Sequence, residues 1–313
     1  MSDKRFRISR AADTRPRPVM LAIAGDSAAG KATLTRGLAH TLGTDRCVVF
    51  SADDYQRFDR TERTGTALTP VHPDSNYLAI LEQHLQLLAT GQPVLKPVYD
   101  HTTGLRTRPE LVEPNDFVIV HGVLPLHSKL ARACFDVSVY LDPAEDLRRC
   151  WKLRRDTVER GYTDEQVRES LAAAESASVS VIRPQRAEAD IVVRFAGIDG
   201  RDDPPGTPLS AEVLLRNTIA QPDLAQILQP TLTRTAHLRL TRDTDGRPVD
   251  SLHIHGYASA EENAAAELLI WRALGEPDAE VPICLGNTGT GTRSTPLAIT
   301  QMLLRYHMMR GSR

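Results

Sequence analysis

Residues 25–33 read Gly-Asp-Ser-Ala-Ala-Gly-Lys-Ala-Thr and follow directly on the apolar run from Val19 to Ala24. A strand, then a glycine-bracketed loop ending in lysine, then a helical pattern is the arrangement in which backbone N–H groups converge on phosphate oxygens at a helix N-terminus. Gly25 and Gly30 supply the backbone freedom, and Asp26, Ser27, Ala28 and Ala29 form the loop between them. Lys31 then reaches the outer phosphates of a nucleotide, while Ala32 and Thr33 open the helix. A glycine turn without a ligand is the alternative, and the preceding strand weighs against it. Position 32 departs from the pattern, because a serine or threonine hydroxyl there ligates magnesium and Ala32 has no ligand atom. Thr33 is a poor substitute, since one step along a helix turns the side chain by about 100°.

A second group of residues could complete a phosphoryl-transfer site, which needs a proton acceptor and cations more than it needs covalent help. Asp53 lies just past an apolar strand, where open α/β sheets put their chemistry, and its neighbour Asp54 can serve as the capping or turn aspartate. Lys152, Arg155 and Asp156, at i, i+3 and i+4, share one helix face that can clamp phosphate. A solvated basic face is the plainer reading of that set. His253 and His255 fall on one strand face at i and i+2, a spacing that can ligate a metal but more often does not. The stretch "LGNTGTGTRSTPLAITQMLLRYHMM" puts a Gly/Thr-rich loop before an amphipathic helix. It reads as a turn feeding a packing helix, or as a regulatory or anion-binding loop using Arg293.

These groups need a scaffold, and the first two hundred residues supply one by alternating short apolar runs with helical patterns, as a parallel α/β sheet does. "VMLAIAG", "CVVFSADD", "FVIVHG", "DVSVYLD" and "ADIVVRF" are the candidate strands, each apolar enough to be buried on both faces. Residues 77–90 form a helix stopped by Gly91 and Pro93. Asp142, Pro143 and Glu145 read as N-cap, first-turn proline and acidic third position of a helix running to about Arg160, and Thr163 with Gln166 opens the next. The Gly/Pro/Asp-rich stretch 197–210 reads as a boundary. Beyond it, two strands flank a turn at Asp245-Gly246, and helices follow near 260–274 and 296–309. The expected organisation is an N-terminal arm (1–18), an α/β core with a mainly parallel sheet flanked by helices (19–200) and a smaller C-terminal α+β extension (201–313).

Composition narrows the partners. The 313 residues carry a formal net charge of −2, with 41% hydrophobic and 25% charged residues, so no whole-chain attraction to nucleic acid or anionic membrane is expected. Cys47, Cys134, Cys150 and Cys284 lie far apart without CxxC spacing, which suits free thiols in a reducing cytosol. No apolar stretch approaches the roughly 20 residues needed to cross a bilayer. A cytoplasmic protein is expected.

With "SADDYQRFDR" at 51–60 the chain begins to resemble phosphoribulokinase and, more distantly, uridine kinase. The likeness continues through "KPVYDHTTG" at 96–104, "VIVHGVLPL" at 118–126, "YLDPAEDLRRCWKLRRDTVERGYT" at 140–163 and "IRPQRAEADIVV" at 182–193, in the family's order. The resemblance implies a P-loop kinase core, ATP and Mg2+, a sugar-phosphate substrate and, as is common among related kinases, a homodimer. It implies transfer of the ATP γ-phosphate to the 1-hydroxyl of ribulose 5-phosphate. Asp53 matches the family's general base, Arg60 a sugar-phosphate contact, and Tyr99 and His101 its substrate-side pair. Lys152, Arg155, Asp156 and Arg160 match its Lys-x-x-Arg-Asp segment and the arginine that follows. Asp53 and Asp156, with the nucleotide's phosphates, would hold the metal. Ala32, Gln56 in place of histidine and His121 in place of an acidic residue depart from the family's pattern, and Ala32 and His121 both remove oxygens near the metal. Two other readings therefore accompany the leading one: a kinase for another acceptor such as a nucleoside, and a kinase fold that binds nucleotide or sugar phosphate without turnover. Ala29 stands where plant-type members carry a redox cysteine, so no thiol switch is available there.

Overall fold

The computed structural model describes residues 17–66, 68–197, 207–228, 235–275, 278–289 and 291–311. In chain order the elements are β1 (Val19–Gly25), α1 (Lys31–Leu42), β2 (Cys47–Ser51), α2 (Arg60–Arg63), α3 (Leu78–Ala89), β3 (Val94–Asp100), β4 (Leu105–Val112), β5 (Phe117–Gly122), α4 (Lys129–Arg132), β6 (Val137–Leu141), α5 (Glu145–Val158), α6 (Asp164–Ala177), β7 (Ile191–Ala196), β8 (Ser210–Leu215), α7 (Leu224–Ile227), β9 (Ala236–Arg242), β10 (Pro248–Ile254), α8 (Ala260–Ala273) and α9 (Thr295–Gly311). The main sheet runs β2-β5-β1-β6-β7-β8-β10-β9. The pairs from β2 to β7 are parallel, and those from β7 to β9 are antiparallel.

Alternation along β1 explains how the sheet is covered on both faces. Val19, Leu21 and Ile23 point to one side and pack with Leu34 and Leu38 of α1 and with Ile299, Met302 and Leu303 of α9. Met20 points to the other side and joins Phe50, Val118, Leu81 and Leu85, while Ala22 and Ala24 join Tyr140 and Val192. The five parallel strands are those expected from their apolar runs, and α3 and α6 start within a residue of expectation, the latter on a complete Thr163/Gln166 capping box.

Several local readings are corrected. Asp142 does not cap α5. Ala144 holds the N-cap position, and the Asp142 carboxylate accepts instead from Arg186 Nε at 2.9 Å. The helix ends at Val158, so Arg160 stands just beyond it, and β2 ends at Ser51, with Ala52–Asp54 forming a 3₁₀ turn. The segment 96–104 belongs to a separate antiparallel hairpin, β3–β4. Its side chains on β4 are mostly exposed, so no burial pattern announced it.

The C-terminal α+β region continues the core sheet: β8 pairs with β7, and the β9–β10 hairpin, turning at Asp245-Gly246 as expected, completes the edge. The boundary residues 198–206 and most of the N-terminal arm, residues 1–16, lie outside the described residues. No helix among the described residues is long and apolar enough to cross a membrane.

Candidate active site

The loop after β1 takes the phosphate-cradling form. Gly25 has φ +151° and a Cβ there would lie 2.7 Å from the Leu141 carbonyl oxygen, while Gly30 at φ +94° turns the chain into α1. Ala28 also sits in the left-handed region, at φ +65°, a conformation non-glycine residues adopt uncommonly. Lys31 Nζ donates back to the carbonyls of Gly25 at 2.9 Å and Asp26 at 2.8 Å, closing the loop over itself. Burial holds the Lys31 ammonium below the usual lysine range, while Asp53 and Asp26 pull the other way. The first N–H groups of α1 face the loop's open side, as at any helix N-terminus. Asp26 braces the loop: its carboxylate accepts from its neighbour's N–H, on Ser27, at 2.7 Å and from the Ser178 hydroxyl. Ala29 is buried in the core, and Ala32 is exposed on the first turn without an oxygen to offer. Thr33, the next residue, is half-buried.

Asp53 stands across from this loop. The backbone N–H of Val123, past the end of β5, donates to Asp53 Oδ1 at 2.7 Å. Gly122 makes that approach possible, since a Cβ there would lie 2.8 Å from both Asp53 Oδ1 and Ala52 Cβ. Asp54 is a different group altogether: it is paired with the buried Lys96, which also meets Glu110 at 2.9 Å. Burial raises the Asp54 carboxyl and Lys96 opposes the rise. The carboxylate of Asp53 acts on Lys31, His101 and His121, favouring their charged forms, so these groups surround one cleft. Burial nonetheless holds both imidazoles below the usual histidine range, so His121 is neutral at pH 7.

On the acceptor side, Arg60 donates from its NH2 group to the His101 carbonyl at 2.7 Å and stacks 5.1 Å from the Tyr162 ring. Tyr99 and His101 meet edge to face at 5.1 Å. Gln56 is buried and bonded within the protein: its amide donates to Asn76 Oδ1 at 2.8 Å and to the Pro70 carbonyl at 3.2 Å, and accepts from Arg63 at 3.2 Å. Its work is to hold the 70–76 segment.

The α5 face carries an ionic hub. Asp156 takes Lys152 at 2.6 Å, Arg155 at 2.8 Å and Arg160 at 3.3 Å. Burial opposes its ionised form, yet the hydrogen bonds from Arg155 and Lys152 hold its carboxyl below the usual range. Arg155 also reaches Ser27 Oγ at 3.4 Å, joining the hub to the phosphate loop. A carboxylate surrounded by three cations is poorly placed for the metal-holding role the resemblance implies for Asp156. Among the described residues no group of three His, Cys, Asp or Glu is arranged to hold a metal ion. The residues fit magnesium only in the manner usual for nucleotide sites, with Asp53 as protein ligand and phosphates and water supplying the rest.

Three positions escaped the sequence reading. Arg148 donates to the Ser27 carbonyl at 3.0 Å and lies 3.7 Å from Asp26, and its place one turn before Lys152 on the same face could have revealed it. Arg63, one turn after Arg60, donates to the Tyr99 hydroxyl at 3.0 Å. Ser178 had no local signal, because its partner Asp26 is 152 residues away. Two further groups are engaged within the protein. Arg293 is held by the buried Glu267, with NH1 to Oε1 at 2.7 Å, and so is not an open anion site. His253 stacks on His237 at 4.9 Å and meets Glu212 at 3.3 Å, while His255 Nε2 lies 3.3 Å from His237 Nδ1.

Residues 20–198 match the model of the phosphoribulokinase/uridine kinase family. The phosphoribulokinase of Synechocystis is 37% identical over 178 residues, 57% of this chain and 54% of that protein. The chloroplastic phosphoribulokinase of Triticum aestivum is 28% identical over 232 residues, 68% of this chain and 57% of that protein. The uridine kinase of Lactobacillus helveticus is 32% identical over 190 residues, 58% of this chain and 88% of that protein. The chain thus spans about half the length of the curated phosphoribulokinases it matches. Among solved structures, phosphoribulokinase from Rhodobacter spheroides is similar in fold, with a TM-score of 0.57 and 19% identity over 76% of this chain and 90% of that one. These relatives are kinases, and the chain belongs to the phosphoribulokinase/uridine kinase family.

Proposed function

We propose that the protein transfers the γ-phosphate of ATP to a hydroxyl of a sugar phosphate, with ribulose 5-phosphate as acceptor and ribulose 1,5-bisphosphate as product. The observation that carries this reading is the Asp53 carboxylate acting on both Lys31 of the phosphate loop and His101, whose carbonyl holds Arg60, while Arg155, grouped with Lys152 and Arg160 on Asp156, reaches Ser27. The N-terminus of α1 and Lys31 hold the outer phosphates. The acceptor oxygen attacks the γ-phosphorus while its proton passes to Asp53, the bond to the β-phosphate oxygen breaks, and ADP leaves. Arg155, already on Ser27, lies where it can meet the equatorial oxygens of the moving group. Arg60, Arg160 and Lys152, with Tyr99 and His101, receive the acceptor and its phosphate. Asp53 and the nucleotide's phosphates would hold magnesium, which would supply charge neutralisation at the phosphates, and Ala32 would add no oxygen to that hold.

The number of cations on the acceptor side favours a phosphorylated acceptor over a neutral nucleoside. Coupled ADP release with ATP, magnesium and a panel of acceptors tests the proposal. Ribulose 5-phosphate should support release and uridine should not. ADP release that no acceptor stimulates would overturn it and leave the reading of a nucleotide-binding protein without turnover.

A further inference from the structure

The helix that carries the phosphate loop is gripped by residues beyond the family match. α9 lies along α1, and Gln301 on α9 is wholly buried between them. Its Nε2 donates to the Leu34 carbonyl at 3.0 Å and to the Thr33 carbonyl at 3.4 Å, while its Oε1 accepts from the backbone N–H of Gly286 at 2.8 Å. The partners settle the amide's orientation, since a carbonyl needs a donor and an N–H an acceptor. Gly37, one turn along α1 from Thr33, leaves room for the contact: a Cβ there would lie 2.3 Å from Gln301 Nε2. Glycine inside a helix is unfavourable relative to alanine, so this approach is what its presence serves.

Gly286 begins the Gly/Thr-rich loop, and the loop is itself anchored. Ser294 N–H donates to the Gly286 carbonyl at 2.8 Å, and Arg293 is held by Glu267 of α8. Near its tip, a Cβ on Gly289 would lie 2.8 Å from Arg36 of α1. At the other end of α1, Arg305 Nε donates to the Thr41 carbonyl at 3.3 Å. The apolar contacts between α1 and α9 are non-directional and leave the rotation of α1 loosely set, whereas a buried amide on its first turn sets it.

We propose that Gln301 is a positioning residue for nucleotide binding: its amide couples the 286–294 loop to the first turn of α1, and so aligns Lys31 and the helix N–H groups on the nucleotide's phosphates. The inference rests on the reading of residues 25–33 as the ATP site.

The test uses the full chain with Gln301→Met, Gly37→Ala and the pair together. Affinity is measured by equilibrium titration with a fluorescent ATP analogue, and kcat and both KM values by coupled ADP release. Each single substitution removes the same contact from opposite sides, so each should weaken analogue binding by about five-fold, the scale of one buried hydrogen bond. The double variant should be no weaker than either single, and kcat at saturating ATP and the acceptor KM should stay within about two-fold. Unchanged analogue affinity, fully additive losses, or losses confined to the acceptor KM would overturn the proposal. If these variants do not fold, Gln301→Glu gives a separate readout. Its carboxylate still accepts from Gly286 but can donate to Leu34 only when protonated, so affinity should recover toward acid pH relative to the unsubstituted chain. A deficit that does not change with pH, or no deficit, would overturn it. An unsubstituted chain that binds no analogue would instead remove the ATP reading itself.

Discussion

Val123 donates its backbone N–H to Oδ1 of Asp53 at 2.7 Å, and among the described residues no hydrogen bond or ion pair engages Oδ2. One oxygen is pinned to the end of β5, and the other is unengaged, as the proposed proton transfer to Asp53 requires. The neighbouring Asp54 is shut away on Lys96, so two adjacent carboxylates have separate tasks.

Asp53→Asn keeps the shape and the bond from Val123 while removing the base. We expect acceptor-dependent ADP release to fall by about 10²- to 10⁴-fold, the usual contribution of a general base. Binding of an ATP analogue should change little. Turnover within a few-fold of the unsubstituted protein would mean that the proton goes elsewhere.

Gly122→Ala tests the same carboxylate from its neighbour. The added Cβ would press on Asp53 Oδ1 and Ala52 Cβ, each 2.8 Å away, and so turn the carboxylate out of line. A displacement of this size is expected to lower kcat by roughly 100-fold. Analogue affinity should hold, because the phosphate loop is untouched. A crystal structure of the variant with Asp53 unmoved would contradict this account.

Ala32→Ser together with His121→Glu would supply oxygens at the two positions where the family pattern has them and this chain does not. His121 is neutral at pH 7 because burial holds its pKa down, so it offers magnesium neither charge nor oxygen. Titrating magnesium at fixed ATP should show higher turnover and a lower requirement for the metal in the double variant. The pair must be read together, since adjacent ligands are not additive. The same magnesium dependence as the unsubstituted protein would show that the metal sits elsewhere.

His307 on α9 is buried, its Nε2 has no hydrogen-bond partner among the described residues, and burial lowers its pKa from 6.5 to about 4, with Asp190 opposing and Arg310 reinforcing the shift. A lowered pKa in the folded state means that the unfolded chain binds the extra proton first as pH falls. Stability from this group is therefore complete above pH 6.5 and lost as pH drops toward 4, by about 3 kcal/mol in all. Chemical denaturation across that range should show the decline, and His307→Leu should flatten it. An identical slope in the variant would exclude His307 as the source.

Much of this was legible in the residues. The inner parallel strands β1, β5 and β6 announce themselves as apolar runs because both faces are buried, and the phosphate loop does so because its glycines and Lys31 lie within one short stretch. The Thr163/Gln166 cap was equally plain, being a contact between residues three apart. Asp142 misled because a helix-start pattern was met two residues early, while the carboxylate was drawn to Arg186 from a distant turn. The β3–β4 hairpin was silent, since an exposed strand need not alternate.

What the sequence determined by itself was therefore the strands and helices of the core, its phosphate loop and, through the resemblance, the family, because apolar runs, caps and motifs are read from near neighbours in the chain. Only the tertiary structure decided which carboxylate faces the cleft, why Asp156 serves cations, and how Gln301 reaches the first turn of α1. Those depend on side chains brought together across long separations, 70 residues for Asp53 and Val123 and 267 for Leu34 and Gln301, which no local spacing encodes.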